Sequence, residues 1–247
     1  MTEIRPSIEI PVPLAMPVVL SFVAGFVDSY TFLALFGLFA AQVTGSFVIA
    51  GAEMIHHDYG VIGKTAAVVA FIVAAALTAA LVGLARDRGR AALPLMLALE
   101  TALLAVFVAL VLFGPAIKDA RDWHGIIAGI FAAMAMGAQS VLVRLLMKGI
   151  PQTNVMTGNM TQLGIATTEL IVARRRLRHS AHTPKDEQEF ADVRRQLITV
   201  LWIALGFLTG AAAGAVGFAS IGLPGALVAV VIVCMVTLWA LVLEQTA

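Results

Sequence analysis

Charge is what this sequence has least of. Asp, Glu, Lys and Arg supply only 13% of its 247 residues, hydrophobic residues supply 60%, and the mean hydropathy is +0.96. A soluble domain carries about 25% charged residues, and a fold of this length has no interior large enough to hide so much apolar side chain. A water-soluble globular protein is therefore excluded. Cysteine is nearly absent. Cys234 stands alone in an apolar run, which excludes an intrachain disulfide and any multi-cysteine metal site. The net charge of +1 comes without a basic stripe, so nucleic acid is not expected as a partner. Nucleophile elbow, Walker motif, HExxH and dinucleotide fingerprint are all missing, and no acid–base–nucleophile set is visible. The chain reads as no enzyme and implies no cofactor or metal. Alternating strands are missing too, which leaves the helical rather than the barrel type of membrane protein.

What is present is a set of long apolar runs. A bilayer core needs about 20 apolar residues per helix, and six segments qualify: about 14–39, 61–85, 93–113, 125–147, 197–218 and 223–243. The expected fold class is all-α, a polytopic membrane protein with six transmembrane helices in contact with the lipid bilayer. Residues 1–13, with two acids, one Arg and three prolines, make a poor signal-peptide start, so the first run is expected to remain as a span.

One stretch occurs twice. Gly25-Phe-Val-Asp28 is followed by an apolar run and then Val43-Thr44-Gly45-Ser46 through Gly51. Gly137-Ala-Gln139-Ser140 is followed by an apolar run and then Met156-Thr157-Gly158-Asn159 through Gly164. Leu77-Thr78 with Gly83 matches Leu208-Thr209 with Gly214, and Leu93-Pro94 matches Leu223-Pro224. Matches in the same order point to two halves, 1–115 and 116–247. With three spans per half, the copies are expected to be inverted across the membrane, an arrangement common among secondary transporters and found in channels too.

Lys and Arg set the orientation. Arg5, Arg86, Arg88 and Arg90, together with Lys148, Arg174, Arg175, Arg176, Arg178, Lys185, Arg194 and Arg195, fall on one side, and only Lys64, Lys118 and Arg121 on the other. Both termini are expected to be cytoplasmic. The polar stretch 174–195 reads as a solvated cytoplasmic loop whose arginines meet anionic headgroups, or as a partner-binding loop.

Few residues here carry chemistry. Asp28 lies deep in the first span, where a charge costs about 2.5–3.5 kcal/mol at the helix centre. It fits either a coupling site or a structural polar contact. Ser140, preceded by Gln139, occupies the matching place without charge. Thr44 and Thr157 are placed to cap the short helical runs 47–55 and 160–173, which read as re-entrant or interfacial. Gly45 and Gly158 let backbone approach another helix or a ligand, and the unpaired N–H groups of such a helix start suit an anion or a carbonyl. Ser46 and Asn159 complete the two motifs. Glu100 in the third span is a candidate partner for Arg144, unless Arg144 snorkels to the headgroups. His56, His57 and Asp58 lack a third ligand at metal-site spacing. Gly206-x-x-x-Gly210-x-x-x-Gly214 and Ala75-x-x-x-Ala79 read as close helix-packing faces.

With Gly25-Phe-Val-Asp28, Val43-Thr44-Gly45-Ser46 and Val155-Met156-Thr157-Gly158-Asn159 in view, nearly the whole chain resembles the YoaK-like bacterial membrane proteins, a domain family of unknown function. The family pattern has Asn where this chain has Ser46 and Ser140. The resemblance implies a bacterial cytoplasmic-membrane protein and brings no substrate.

The functional expectation is a small secondary transporter or permease for an unidentified small molecule or ion. Its site would lie between the halves, near Asp28, Thr44, Gly45, Thr157, Gly158 and Asn159. The alternative is a membrane scaffold or sensor that binds a partner through the 174–195 loop. A homo-oligomer is compatible with either. The topology is directly testable: after removal of Cys234, a cysteine at Asp119 is expected to react with an impermeant maleimide in intact cells. Reaction only after permeabilisation would reverse the orientation.

Overall fold

The computed structural model describes residues 12–56, 60–178 and 183–246, and among them there are helices and connections but no strand. The order is α1 (Ala15–Ala34), α2 (Val43–His56), α3 (Val61–Asp87), α4 (Ala92–Phe113), α5 (Trp123–Leu146), α6 (Met156–Leu177), α7 (Pro184–Ile221) and, after a 3-10 turn at Leu223–Ala226, α8 (Leu227–Thr246). Among the described residues, six helices are long and apolar enough to cross a membrane: α1, α3, α4, α5, α7, and the turn with α8. The protein is a multi-pass helical membrane protein, as its composition requires.

Two boundaries differ from the sequence expectation, each for a local reason. The first span stops at Ala34 rather than near Phe39. Phe36 (φ 54) and Gly37 (φ 81) both take left-handed backbone, which a helix cannot continue through, and residues 35–42 fold back. The fifth span begins at Pro184 rather than near Leu197. Thr183 and Asp186 form a capping box and Pro184 supplies a preset φ in the first turn. Residues 174–195, expected to be a loop, are thus mostly the end of α6 and the first turns of α7. Arg176 and Glu189 pair across them at 2.9 Å. Both are half exposed, so the pair adds little stability. His57 and Asp58, and the side chain of His56, lie outside the described residues.

Burial separates a centre from a shell. In the apolar stretches of α1 and α5, 67% of the residues are buried, against 28% in α3 and α7. The outer faces of α3 and α7 carry Ile72, Leu77, Leu208 and Val216 exposed, as lipid-facing helices do. The pairing is crosswise between the halves: α7 packs on α1, and α3 packs on α5. α2 lies on α3 as α6 lies on α7, and α4 meets α8. Gly206, Gly210 and Gly214 of α7 face the carbonyls of Val18, Phe22 and Phe26 in ascending order, so α7 runs parallel to α1. Gly63 and Gly137 place Ile126 and Phe71 in the same ascending sense, so α3 runs parallel to α5. The two central helices oppose each other, for Gln139 of α5 reaches Leu20 while Gly129 touches Leu35 and Leu38.

The glycine face of α7 is a close-packing face as expected, with backbone against backbone. Ala75 and Ala79 are not its counterpart. Ala79 is exposed, and α3 turns Ala74, Thr78, Val82 and Ala85 inward instead. The buried face of α3 thus falls one position away from the Ala75 and Ala79 face. A side chain at Gly210 has nowhere to go but into the Phe22 carbonyl. Gly210→Leu is expected to destabilise the purified protein by about 1–3 kcal/mol, the usual cost of overpacking. Gly83→Ala, in open space, should melt at or slightly above the wild type. Equal melting temperatures for the two variants would refute the tight α1–α7 contact.

Candidate functional site

Each central helix holds the loop that follows it. Asp28 of α1 is buried, and its carboxylate accepts the N–H of Ala41 at 2.6 Å (Oδ1) and that of Gln42 at 2.9 Å (Oδ2). Asp28 lies six residues before the end of α1, so the loop re-enters the bundle by roughly 9 Å, at 1.5 Å per helical residue. In the second half, Gln139 of α5 donates from Nε2 to Thr153 Oγ1 at 2.8 Å and to the Leu20 carbonyl at 2.9 Å. Ser140 donates to Gln152 Oε1 at 3.3 Å. Ser21 of α1 adds a third tie, its Oγ lying 2.9 Å from the Thr153 carbonyl and 2.8 Å from that of Ile203.

The third residue of each motif completes the loop from the other side. Ser46 Oγ donates to the Phe39 carbonyl at 3.1 Å and accepts the Phe39 N–H at 3.2 Å. Asn159 Nδ2 donates to the Gln152 carbonyl at 2.7 Å. Both reach back seven residues. Non-helical backbone within a membrane bundle must be satisfied by protein, and these side chains do that work.

Thr44, Thr157 and Gly158 are exposed and Gly45 is half-buried. Thr44 and Thr157 are the second residues of α2 and α6, inside the first turn rather than at the cap, and Val155 at the cap position of α6 makes no side-chain cap bond. The expected threonine caps are therefore not formed, because the helices begin one residue earlier than the motif implies. Gly45 packs against the Phe39 ring, whereas a Cβ at Gly158 would meet only Val155. Glu100 does not pair with Arg144. Glu100 is fully buried with neither carboxylate oxygen hydrogen-bonded, while Arg144 is exposed near the end of α5.

Glu100 belongs to a polar stratum that crosses the bundle. The buried apolar side chains form two clusters, one around Tyr30, Phe107 and Met136, the other around Met16, Met96 and Leu142. On α4, Glu100 falls between Leu97 of one cluster and Leu104 of the other. On α5, Gln139 falls between Met136 and Leu142, and on α1, Ser21 falls between Leu20 and Val23. The re-entrant loop adds Thr153 and Asn154 at this level, through the bonds of Thr153 to Gln139 and Ser21. At its edge Thr101 of α4 and Thr237 of α8 meet at 3.1 Å. Both oxygens of Glu100, Oε1 of Gln139 and both polar atoms of the Asn154 side chain are buried without a hydrogen-bond partner. An orphaned buried polar group costs about 1–3 kcal/mol, and a charged one more. Asn154 carries no motif. Its only signal in the sequence is a polar Thr153-Asn154 pair where the first half has Ala40-Ala41.

A second polar centre lies near the other end of the bundle. Lys64 of α3, buried, pairs with Glu53 of α2 at 2.7 Å and donates to the Phe36 carbonyl at 3.1 Å. It clamps the left-handed turn after α1 to the α2–α3 hairpin. A lone Glu and a lone Lys either side of the turn between α2 and α3 were the available signal.

Asp28 provides a direct test of the loop geometry. Asp28→Ala orphans the N–H of buried Ala41 and that of half-buried Gln42, so a loss of about 1–3 kcal/mol for the first, and less for the second, is expected in the thermal or denaturant stability of the purified protein. Asp28→Asn keeps one acceptor and should lose less. An Asp28→Ala protein that melts with the wild type would show that the loop does not depend on this carboxylate.

No curated protein and no solved structure matches the chain. The family model described as protein of unknown function DUF1275 matches residues 16–240, from the start of α1 to the inner face of α8. A match that spans all eight helices of this bundle shows that the chain belongs to the DUF1275 family.

Proposed function

We propose that the protein is a small secondary transporter or permease whose site is the polar stratum between its two halves. The observation that carries this reading is Glu100: a carboxylate on the ninth residue of a 22-residue span, fully buried, with both oxygens free of partners. At 1.5 Å per residue it sits about 12 Å into the helix, near the middle of a hydrocarbon core about 30 Å thick. Ionisable groups at that depth are costly and mark ion and substrate pathways.

The crosswise packing supports the reading further. Exchanging the halves turns the α1–α7 contact into α5–α3 and the α2–α3 contact into α6–α7. With α1 and α5 opposed, this fits two inverted three-span halves with a site at their interface near mid-membrane. In this reading the Thr44-Gly45-Ser46 and Thr157-Gly158-Asn159 turns launch the half-helices α2 and α6, and Asp28, Gln139 and Ser140 hold the loops that bring backbone toward the site. The exposed Arg86, Arg88, Arg174, Arg175 and Arg176 lie at the end of the bundle where α1 begins and α8 ends, which favours a cytoplasmic-membrane protein with cytoplasmic termini.

The alternative, a scaffold or sensor without transport, draws on the exposed charged ends of α6 and α7. One experiment separates the two. Purified protein is screened by thermal shift against ions and metabolites, since a ligand specific to the folded state raises apparent stability, and each hit is tested for uptake into proteoliposomes. Transport predicts a hit that is taken up, with uptake reduced at least tenfold by Glu100→Gln and unaffected by Gly83→Ala. No uptake of any hit, together with specific capture of a cytoplasmic protein that is lost on reversing the charges of Arg174, Arg175 and Arg176, would establish the scaffold.

A further inference from the structure

The stratum's unpartnered atoms have a chemistry of their own. Four are oxygens that accept: Oε1 and Oε2 of Glu100, Oε1 of Gln139 and Oδ1 of Asn154. With Glu100 ionised, only one group donates, Nδ2 of Asn154. The Nε2 hydrogens of Gln139 are already used on Leu20 and Thr153, and the Ser21 hydroxyl is committed to the Thr153 and Ile203 carbonyls. Among the described residues, an anion would find no cationic side chain at this level. Lys64, the buried lysine, is held by Glu53 and Phe36 near the start of α3. The other deeply buried carboxylate, Asp28, is spent on the Ala41 and Gln42 amides.

We propose that Glu100, Gln139 and Asn154 form the oxygen-lined site of a monovalent cation within the stratum. The charge balance selects the valence. An ionised Glu100 neutralises one positive charge, so a monovalent cation can take the place of the carboxyl proton that keeps the empty site neutral, whereas a divalent ion would leave net charge in a medium where an uncompensated ion is very costly. The ligand type selects the ion class. Carboxylate and amide oxygens suit hard cations, and thiolate and imidazole ligands are missing from the set. An ammonium group meets the same requirement, because it presents donors to acceptors. The site therefore takes either an alkali ion, as the coupling ion of the proposed transporter, or the ammonium group of an organic substrate. Its place in transport rests on the function proposed above; the binding itself does not.

The test measures binding and flux separately on the full-length protein in detergent. Chlorides of lithium, sodium, potassium, ammonium and methylammonium are each exchanged for choline chloride at constant ionic strength and pH, and the melting temperature is followed. At least one cation is expected to raise it by about 3–6 °C per tenfold increase above its Kd, from mass-action stabilisation in a chain of this size. An alkali ion winning identifies a coupling ion; ammonium or methylammonium winning identifies a substrate head group. In Glu100→Gln, which keeps the shape and removes the charge, the response should vanish. Asn154→Ala, which removes one oxygen and keeps the charge, should retain the response with its midpoint moved about tenfold to higher cation concentration. A wild type indifferent to all five cations overturns the proposal, as does a Glu100→Gln protein with the full wild-type response. Should Glu100→Gln fail to fold, the wild-type titration and Asn154→Ala still decide. Cation-dependent melting without any uptake into proteoliposomes would uphold the site and sink the transport reading. Uptake without cation-dependent melting would do the reverse.

Discussion

A backbone amide inside a membrane bundle has no water to turn to, and the interior of this protein is arranged around that constraint. Two stretches, 35–42 and 147–155, leave the helical state and fold back into the bundle from opposite ends. Their polar groups must be met by side chains. Asp28 supplies a carboxylate to two N–H groups of the first loop. Gln139, Ser140 and Ser21 supply donors to the second. A small polar residue at the third place of each motif, Ser46 or Asn159, closes the loop onto its own start. These bonds tie the loops that precede α2 and α6 to the central helices α1 and α5.

The two halves meet the constraint with different chemistry, and that difference is informative. In the first half a carboxyl acceptor faces bare N–H groups, and both of its oxygens are used. In the second half neutral groups face side-chain oxygens and carbonyls, and the accounts do not close: Gln139 Oε1 and the Asn154 amide are left over, at the level of the unpaired Glu100. Native interiors leave few polar atoms unsatisfied, and those that remain call for an explanation such as an ion or a catalytic role. Among the described residues, five of the six such side-chain atoms lie in this one stratum, between the two apolar clusters, and the sixth is Oε2 of Glu53 beside Lys64.

Close packing keeps that stratum in place. The Gly206, Gly210 and Gly214 face lets α7 rest on the carbonyls of α1, and Gly137 lets α5 rest on Phe71 of α3. These are backbone contacts, so they hold the helices at fixed depth as well as fixed distance. Lys64 and Glu53 perform a related service at the other end, pinning the turn at Phe36 and Gly37 against α2 and α3. The proposed cation site would draw its oxygens from three separate elements, α4, α5 and the loop before α6.

The linear chain determined the class of the protein and much of its plan. Thirteen per cent charge and six long apolar runs admit little besides a helical membrane protein. Thr183, Pro184 and Asp186 spell a helix start within a stretch whose overall charge resembles a loop. The glycine face of α7 was legible because three glycines at four-residue spacing fall on one side of a helix. Asp28 and Glu100 were conspicuous as charges in apolar surroundings, but their fates were not. Asp28 found two amides thirteen and fourteen residues away only because Phe36 and Gly37 turn the chain back. Glu100 found no partner because Arg144, the nearest cation in prospect, points outward from the end of α5. Gln139 and Asn154 became neighbours of the same buried layer through contacts between α1, α5 and a re-entrant loop. Such long-range neighbours follow from which helix faces meet, and a residue's neighbours across a bundle leave no imprint on the residues beside it in sequence.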